Sequence, residues 1–246
     1  MPPRFGYRRS FLDLYFPPGL KWLLISNTAV FLLDFLFPPF HRLLWTLFAL
    51  YADGVIHGVG IPFFWQPFTY MFLHGGIWHL LFNMLTLWFF GTQLERDWGT
   101  RRFLKYYFLC GIAAGICVLL VNMAQGDWAT PTIGASGAIF GVLVAFAVLY
   151  PNQTVLMSFL FPIKAKYMVM IYAAIELLMT VRPGQSGIST IAHLGGMAFG
   201  YIYLKGRLPR LAMPDMGGAY RQWKIQRAKK KFQVYMRKHG GGPWVN

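Results

Sequence analysis

Residues 134–150 read GASGAIFGVLVAFAVLY, a run with no charged side chain, glycine at 134, 137 and 141, and one serine, Ser136, near its start. A spanning helix needs about 20 mainly apolar residues, within a range of about 17 to 25. Taken from 133 to 150, this run is one of six that qualify; the others cover 20–40, 72–92, 102–123, 164–181 and 187–205. Proline or glycine punctuates most boundaries, at Pro38-Pro39, Pro67, Gly99, Pro131, Pro151, Pro162 and Pro183-Gly184, as expected where regular structure is interrupted. Composition agrees: 56% of the 246 residues are hydrophobic and 13% charged, against about 25% charged in a soluble domain. The expected fold class is an all-α membrane protein, a six-transmembrane helical bundle at 20–205, with a short N-terminal segment at 1–19 and a basic tail at 206–246. The first apolar run is longer than the core of a cleavable leader, so it reads as a retained span.

Orientation follows from charge. With six spans both termini share a side, and all of the 23 Lys and Arg except Arg42 and Arg182 fall on that side. Arg4, Arg8, Arg9 and Lys21 precede or open span 1, Arg96, Arg101, Arg102 and Lys105 lie between spans 2 and 3 or at their ends, and Lys164 and Lys166 mark the turn between spans 4 and 5. Basic residues concentrate in cytoplasmic loops, so both termini are expected in the cytoplasm. The net charge of +15 then reflects topology and implies no nucleic-acid partner. Outside the cytoplasm, His41 to Gln66 contains LLWTLF and IPFFW. So apolar a connection is expected to lie partly inserted in the membrane interface, between helices 1 and 2. Cys110 and Cys117 sit seven apart in one span and read as packing residues.

Polar side chains inside a span are costly and face the protein interior or a water cavity. The candidates are Asp34, His74, His79, Asn83, Ser136, Glu176 and His193. Spans 4 and 6 both enter from outside, near Pro131 and Gly187, which sets Ser136 and His193 roughly 7 to 9 Å below the outer boundary at about 1.5 Å per residue. In the run HGGIWHLLFN, His79 and Asn83 share a helix face at i and i+4 near that same level. Four polar groups thus converge on one layer of the outer leaflet.

Alone, a serine among glycines is a packing device, a membrane histidine is a structural hydrogen bonder, and Asn83 is interhelical glue. Together they have a chemical reading. A serine hydroxyl becomes a nucleophile when a histidine accepts its proton, and attack on a carbonyl creates an oxyanion that needs hydrogen-bond donors. Ser136 and His193 supply nucleophile and base; His79, Asn83 and a helix-start N–H supply donors. The glycine pairs Gly137/Gly141 and Gly196/Gly200 would let spans 4 and 6 approach closely. The GxSG run is not the GxSxG nucleophile elbow, since Ala138 holds the last position.

These residues resemble the rhomboid family of intramembrane serine proteases over most of 20–205. The motifs are HxxxxHxxxN at His74, His79 and Asn83; GxSG at Gly134, Ser136 and Gly137; AHxxGxxxG at Ala192, His193, Gly196 and Gly200; and GxxxExxxG at Gly91, Glu95 and Gly99. The resemblance implies Ser136 as nucleophile and His193 as base in a dyad without a third acid. It implies an oxyanion hole from His79, Asn83 and the Ser136 backbone, and His74 in support of the fold. Glu95 would satisfy backbone N–H groups. No metal or cofactor is implied. The substrates would be transmembrane proteins cut near the outer end of a helix, and a six-helix core looks like the basic form found in bacterial plasma membranes. Two positions depart from the pattern. The Trp-Arg pair of the loop is Trp65-Gln66, which removes a cation that could anchor the loop in the headgroups. Phe140 stands where relatives often carry tyrosine, close enough to pack near the dyad.

Asp34 and Glu176 fall in the outer halves of spans 1 and 5 and read as structural hydrogen bonders, with a water route to the site as the alternative for Glu176. The tail YRQWKIQRAKKKFQVYMRK suits either a basic helix on anionic lipid headgroups or a solvated extension. Two further function classes compete: a non-catalytic rhomboid-like binder of membrane clients, and a small transporter using Ser136, His193 and Glu176 as a proton path. The presence of both Ser136 and His193 argues against the first, and the lack of internal repeats against the second.

Overall fold

The computed structural model describes residues 15–157, 160–180, 188–206 and 226–227. Residues 1–207 form one compact unit and 208–246 a second, of which Gln226 and Arg227 are helical. The basic tail, the arginines at 4, 8 and 9, and Arg182 lie outside the described residues.

Helix α1, Pro18–Leu36, opens with proline in its first turn, where a missing N–H costs nothing. Its next two N–H groups are capped from far along the chain: Gly19 donates to Glu95 Oε1 at 2.7 Å and Leu20 to Glu95 Oε2 at 2.6 Å, while Thr100 Oγ1 donates to Oε1 at 2.5 Å. Glu95 is buried, and three donors together with the positive end of a helix make that burial tolerable. The first expected span, 20–40, stops early. The chain turns at Phe37, and Pro38-Pro39 start a new helix, α2, Pro38–Phe48. Asp34 fixes the turn by accepting from His41 Nδ1 at 2.9 Å and Trp45 Nε1 at 3.2 Å.

The connection from 41 to 66 is mostly folded. After α2 come α3, Ala52–Ile56, and α4, Gln66–Thr69, which leads into a 3₁₀ turn at Tyr70–Phe72. Gln66 does not face the membrane headgroups, the environment expected for a cation at this position. It is fully buried, its Nε2 donates to Thr46 O at 3.1 Å and its Oε1 accepts from Tyr51 N at 3.5 Å. A neutral amide satisfies both a donor and an acceptor there, which a guanidinium could not.

Helix α5, Ile77–Trp98, begins five residues later than the expected start at 72, because Gly75-Gly76 break the apolar run. Helix α6, Thr100–Gln125, follows directly and ends on left-handed Gly126. Helix α7, Ser136–Leu149, is hydrophobic on every side and buried along most of its length, as a helix surrounded by others must be. It starts at Ser136, three residues inside the run 133–150. A hairpin not foreseen from the sequence follows, β1 at Thr154–Met157 antiparallel to β2 at Phe161–Lys164, with Thr154 paired to Lys164. Its strands are largely exposed. Helices α8, Ala165–Thr180, and α9, Ile188–Leu204, complete the described fold.

By length and composition alone, α1 and α6 are the two described helices long and apolar enough to cross a membrane. Helix α7 has 14 residues and so reaches about 21 Å, short of the roughly 30 Å of a bilayer core.

Candidate active site

The approach to Ser136 is held by backbone hydrogen bonds. Leu50 and Thr132 form an isolated antiparallel bridge, with N–H to O distances of 3.0 and 2.7 Å, and Gly134 N donates to Tyr70 O at 2.9 Å. Tyr70 is itself fixed by its buried hydroxyl, which donates to Gly111 O at 2.7 Å. Gly134 has φ of +114°, and a Cβ there would stand 2.8 Å from His79 Nε2. Both conformation and space therefore demand glycine. Two residues later α7 begins, so Ser136 sits in a first turn whose N–H groups have no intrahelical partner.

Helix α9 crosses α7 at backbone contact. A Cβ on Gly196 would overlap the carbonyl oxygen of Gly137, one on Gly137 would stand 2.6 Å from Ala114 Cβ, and one on Gly141 2.6 Å from Cys110 Sγ. At this spacing His193 Nε2 lies 2.8 Å from Ser136 Oγ. Phe140, one turn after the serine, stacks on the imidazole with ring centroids 4.2 Å apart and planes 14° apart. Its other neighbour is Tyr172 of α8, edge-on at 6.1 Å.

From α5, His79 and Asn83 face the same space. Gly75 N donates to His79 Nδ1 at 3.4 Å, and Nε2 is the atom turned toward Gly134. Asn83 is buried, and its Nδ2 makes no hydrogen bond among the described residues. His74 lies in the connection before α5, buried and edge-on to His79 at 5.0 Å. His79 Nε2 and Asn83 Nδ2 thus lie 2.8 and 3.9 Å from where a Cβ of Gly134 would stand, two residues before Ser136. A cavity of 940 Å³ opens there, running between α5 and α8 and lined by His79, Asn83, Ser136, Phe140, Tyr172 and His193 among others.

The structure adds residues that the sequence reading did not assign to the site. Tyr70 was not singled out; no local pattern marks a tyrosine whose carbonyl braces a loop more than 60 residues away. Glu176, which reads from the sequence as a structural hydrogen bonder or part of a water route, has its Oε1 2.9 Å from His193 Nδ1. An acid beside the base departs from the pattern of a dyad without a third acid. The available signal was depth, since the expected topology sets Glu176 in the outer half of its span.

Comparison with known proteins places the chain in a family. Residues 63–210, more than half the chain, match the model of the rhomboid domain. The chain is 33% identical over 196 residues to "Rhomboid protein 1, mitochondrial" of Saccharomyces cerevisiae, covering 76% of this chain and 53% of that one. It is 36% identical over 138 residues to "Rhomboid protease GluP" of Bacillus subtilis, covering 56% of this chain and 25% of that one. A Bacillus subtilis rhomboid named YdcA is 32% identical over 197 residues, covering 79% and 89%. The chain spans about half the length of the curated mitochondrial relatives it matches. With the rhomboid domain laid over α4 to α9, where Ser136, His193, His79 and Asn83 meet, the chain belongs to the rhomboid family, and it is an all-α integral membrane protein.

Proposed function

We propose that the chain is an intramembrane serine endopeptidase that hydrolyses peptide bonds of membrane proteins within or near the outer end of a transmembrane helix. The observation that carries this reading is the 2.8 Å contact between Ser136 Oγ and His193 Nε2. In the acylation step His193 Nε2 takes the hydroxyl proton as Ser136 Oγ bonds to the scissile carbonyl carbon. The carbonyl oxygen, now anionic, is met by His79 Nε2–H, Asn83 Nδ2–H and the Ser136 backbone N–H. His193 then returns the proton to the leaving amine as the C–N bond breaks. Water, deprotonated by the same imidazole, releases the new carboxyl end and restores the serine. Close approach at Gly196, Gly200, Gly137 and Gly134, and the stacked Phe140, serve to hold this geometry; His74 buttresses His79.

The relatives named as proteases support the activity, and the cavity between α5 and α8 offers room for an extended peptide. The topology that fits is six spans formed by α1 and α5 to α9, both termini in the cytoplasm, in a bacterial plasma membrane. The connection carrying α2 and α3 lies against the outer interface, where exposed Val59, Ile61 and Phe64 meet lipid. The basic tail adds a contact for anionic headgroups. Reconstituted in liposomes, the wild-type protein is expected to cleave a single-span model substrate and to be labelled by a fluorophosphonate probe. Ser136→Ala should lose both while keeping its thermal unfolding profile. Cleavage that persists in the Ser136→Ala protein would overturn the reading.

A further inference from the structure

We infer that Glu176 is a positioning residue for His193, so that this chain works with a Ser136–His193–Glu176 relay instead of a bare dyad. The inference rests on the protease reading for its consequence, and on geometry of its own for the contact. Glu176 Oε1 lies 2.9 Å from Nδ1, on the side of the ring opposite the 2.8 Å contact of Nε2 with Ser136. Both side chains are about 15% exposed, at 14% for Glu176 and 16% for His193. The pair therefore sees only limited screening by water. Among the described residues, the ion-pair partner of the Glu176 carboxylate is His193.

The backbone around Glu176 is braced for this contact. One turn further along α8, Thr180 Oγ1 donates to Glu176 O at 2.8 Å and lies 2.9 Å from Thr190 Oγ1 of α9. The two helices are thus tied together within one turn of the Glu176–His193 pair. Phe140 covers the face of the ring. Stacking fixes the plane of the imidazole but leaves its proton free to reside on either nitrogen. Only a hydrogen-bonding partner at Nδ1 selects the tautomer.

An ionised carboxylate accepts hydrogen bonds and donates none. Opposite it Nδ1 must carry the proton, which leaves the lone pair on Nε2 to accept from the serine hydroxyl. After that transfer the carboxylate also stabilises the imidazolium, as the acid does in soluble serine proteases. Adding one more proton to the pair loads Nε2, whichever partner formally holds the charge, and the base is lost.

The test replaces Glu176 with Gln, which keeps shape and can either accept from Nδ1–H or donate to Nδ1. In liposomes, kcat for a model substrate should fall about 10- to 100-fold with KM nearly unchanged. The drop is milder than the roughly 10⁴-fold seen when a fully buried acid is amidated. Glu176→Asp, which keeps the charge and the acceptor, should recover part of kcat. A Glu176→Gln protein that keeps the wild-type kcat would overturn the inference, as would a loss in Glu176→Asp deeper than that in Glu176→Gln. Imidazole ¹⁵N spectra of the full chain, assigned for His193 by difference from His193→Ala, provide a readout independent of cleavage. The neutral imidazole of the wild type should show a protonated Nδ1 and a bare Nε2, and that of Glu176→Gln a mixture. A wild-type proton on Nε2 would overturn the relay. If no substrate is cleaved, the protease reading fails on its own, and the tautomer still decides the role of Glu176.

Discussion

The two sides of Ser136 are built on opposite plans. Toward α9 and α6 the helices meet closely, with Gly196 of α9 against the Gly137 carbonyl and Cys110 of α6 filling the space over Gly141. Toward α5 and α8 they stand apart around a cavity of 940 Å³ lined by aromatic, aliphatic and polar side chains. Under the proposed function the tight side would set the distance at which a proton passes, and tight packing resists change because interiors are nearly incompressible. The open side would set what can reach the serine. A serine hydrolase acting on a chain from within a membrane needs both properties, and the fold offers them on different helix pairs. Substitutions on the tight side should therefore cost rate and stability together, while those on the open side should cost little of either.

The largest effect is expected from Gly196→Ala. The added methyl overlaps backbone at Gly137, which cannot rotate away as a side chain can, so α9 must shift. Overpacking of this kind costs about 1–3 kcal/mol of stability, and a displacement near 1 Å at the reacting atoms costs about 100-fold in kcat/KM. Thermal unfolding in detergent and a cleavage assay would show both losses. Retention of wild-type rate would mean that the α7–α9 contact does not set the Ser136–His193 distance. Next comes Gly134→Ala, at the junction of the two sides. Its φ of +114° is strained for any side chain, at about 1–3 kcal/mol, and its methyl would press on His79 Nε2. With a donor displaced from the developing oxyanion, kcat should fall about 100-fold while fluorophosphonate labelling slows less. Equal slowing of both would shift the damage from the oxyanion donors to the serine itself.

How far this division could be read in advance depends on the range of the forces involved. The apolar runs were legible because a membrane core demands an internally bonded helix wherever it is crossed. Counting rise along those runs brought Ser136, His79, Asn83 and His193 to one level. Several features escaped, the hairpin of Thr154–Met157 and Phe161–Lys164 among them. The start of α7 at Ser136 is set by hydrogen bonds from Leu50 and Tyr70, which lie far away in sequence. The inward turn of Gln66 depends on the carbonyl of Thr46, a partner that no periodicity reveals. Glu176 was visible as an expensive residue, but its partner was not, because pairing across α8 and α9 depends on rotation about the helix axis. Hydropathy gives the depth of a side chain within a span and is silent about the direction it faces.

The smallest effect is expected from Tyr172→Ala on the open side. Tyr172 lines the cavity from α8 and touches Phe140 edge-on at 6.1 Å. Removing it leaves the glycine contacts of α7 and α9 intact, so the Ser136–His193 distance should hold and the unfolding profile should move little. What is lost is one edge-to-face pair, worth about 0.5–1.5 kcal/mol, and only part of that is felt by the imidazole through Phe140. A fall in kcat of about 3-fold follows, with any larger change appearing in KM because the wall of the cavity has been altered. Single-turnover cleavage with wild-type and Tyr172→Ala protein separates the two. A kcat loss as deep as that of Gly196→Ala would show that Phe140 depends on Tyr172 to hold His193, and the open side would then share in setting the reacting distance.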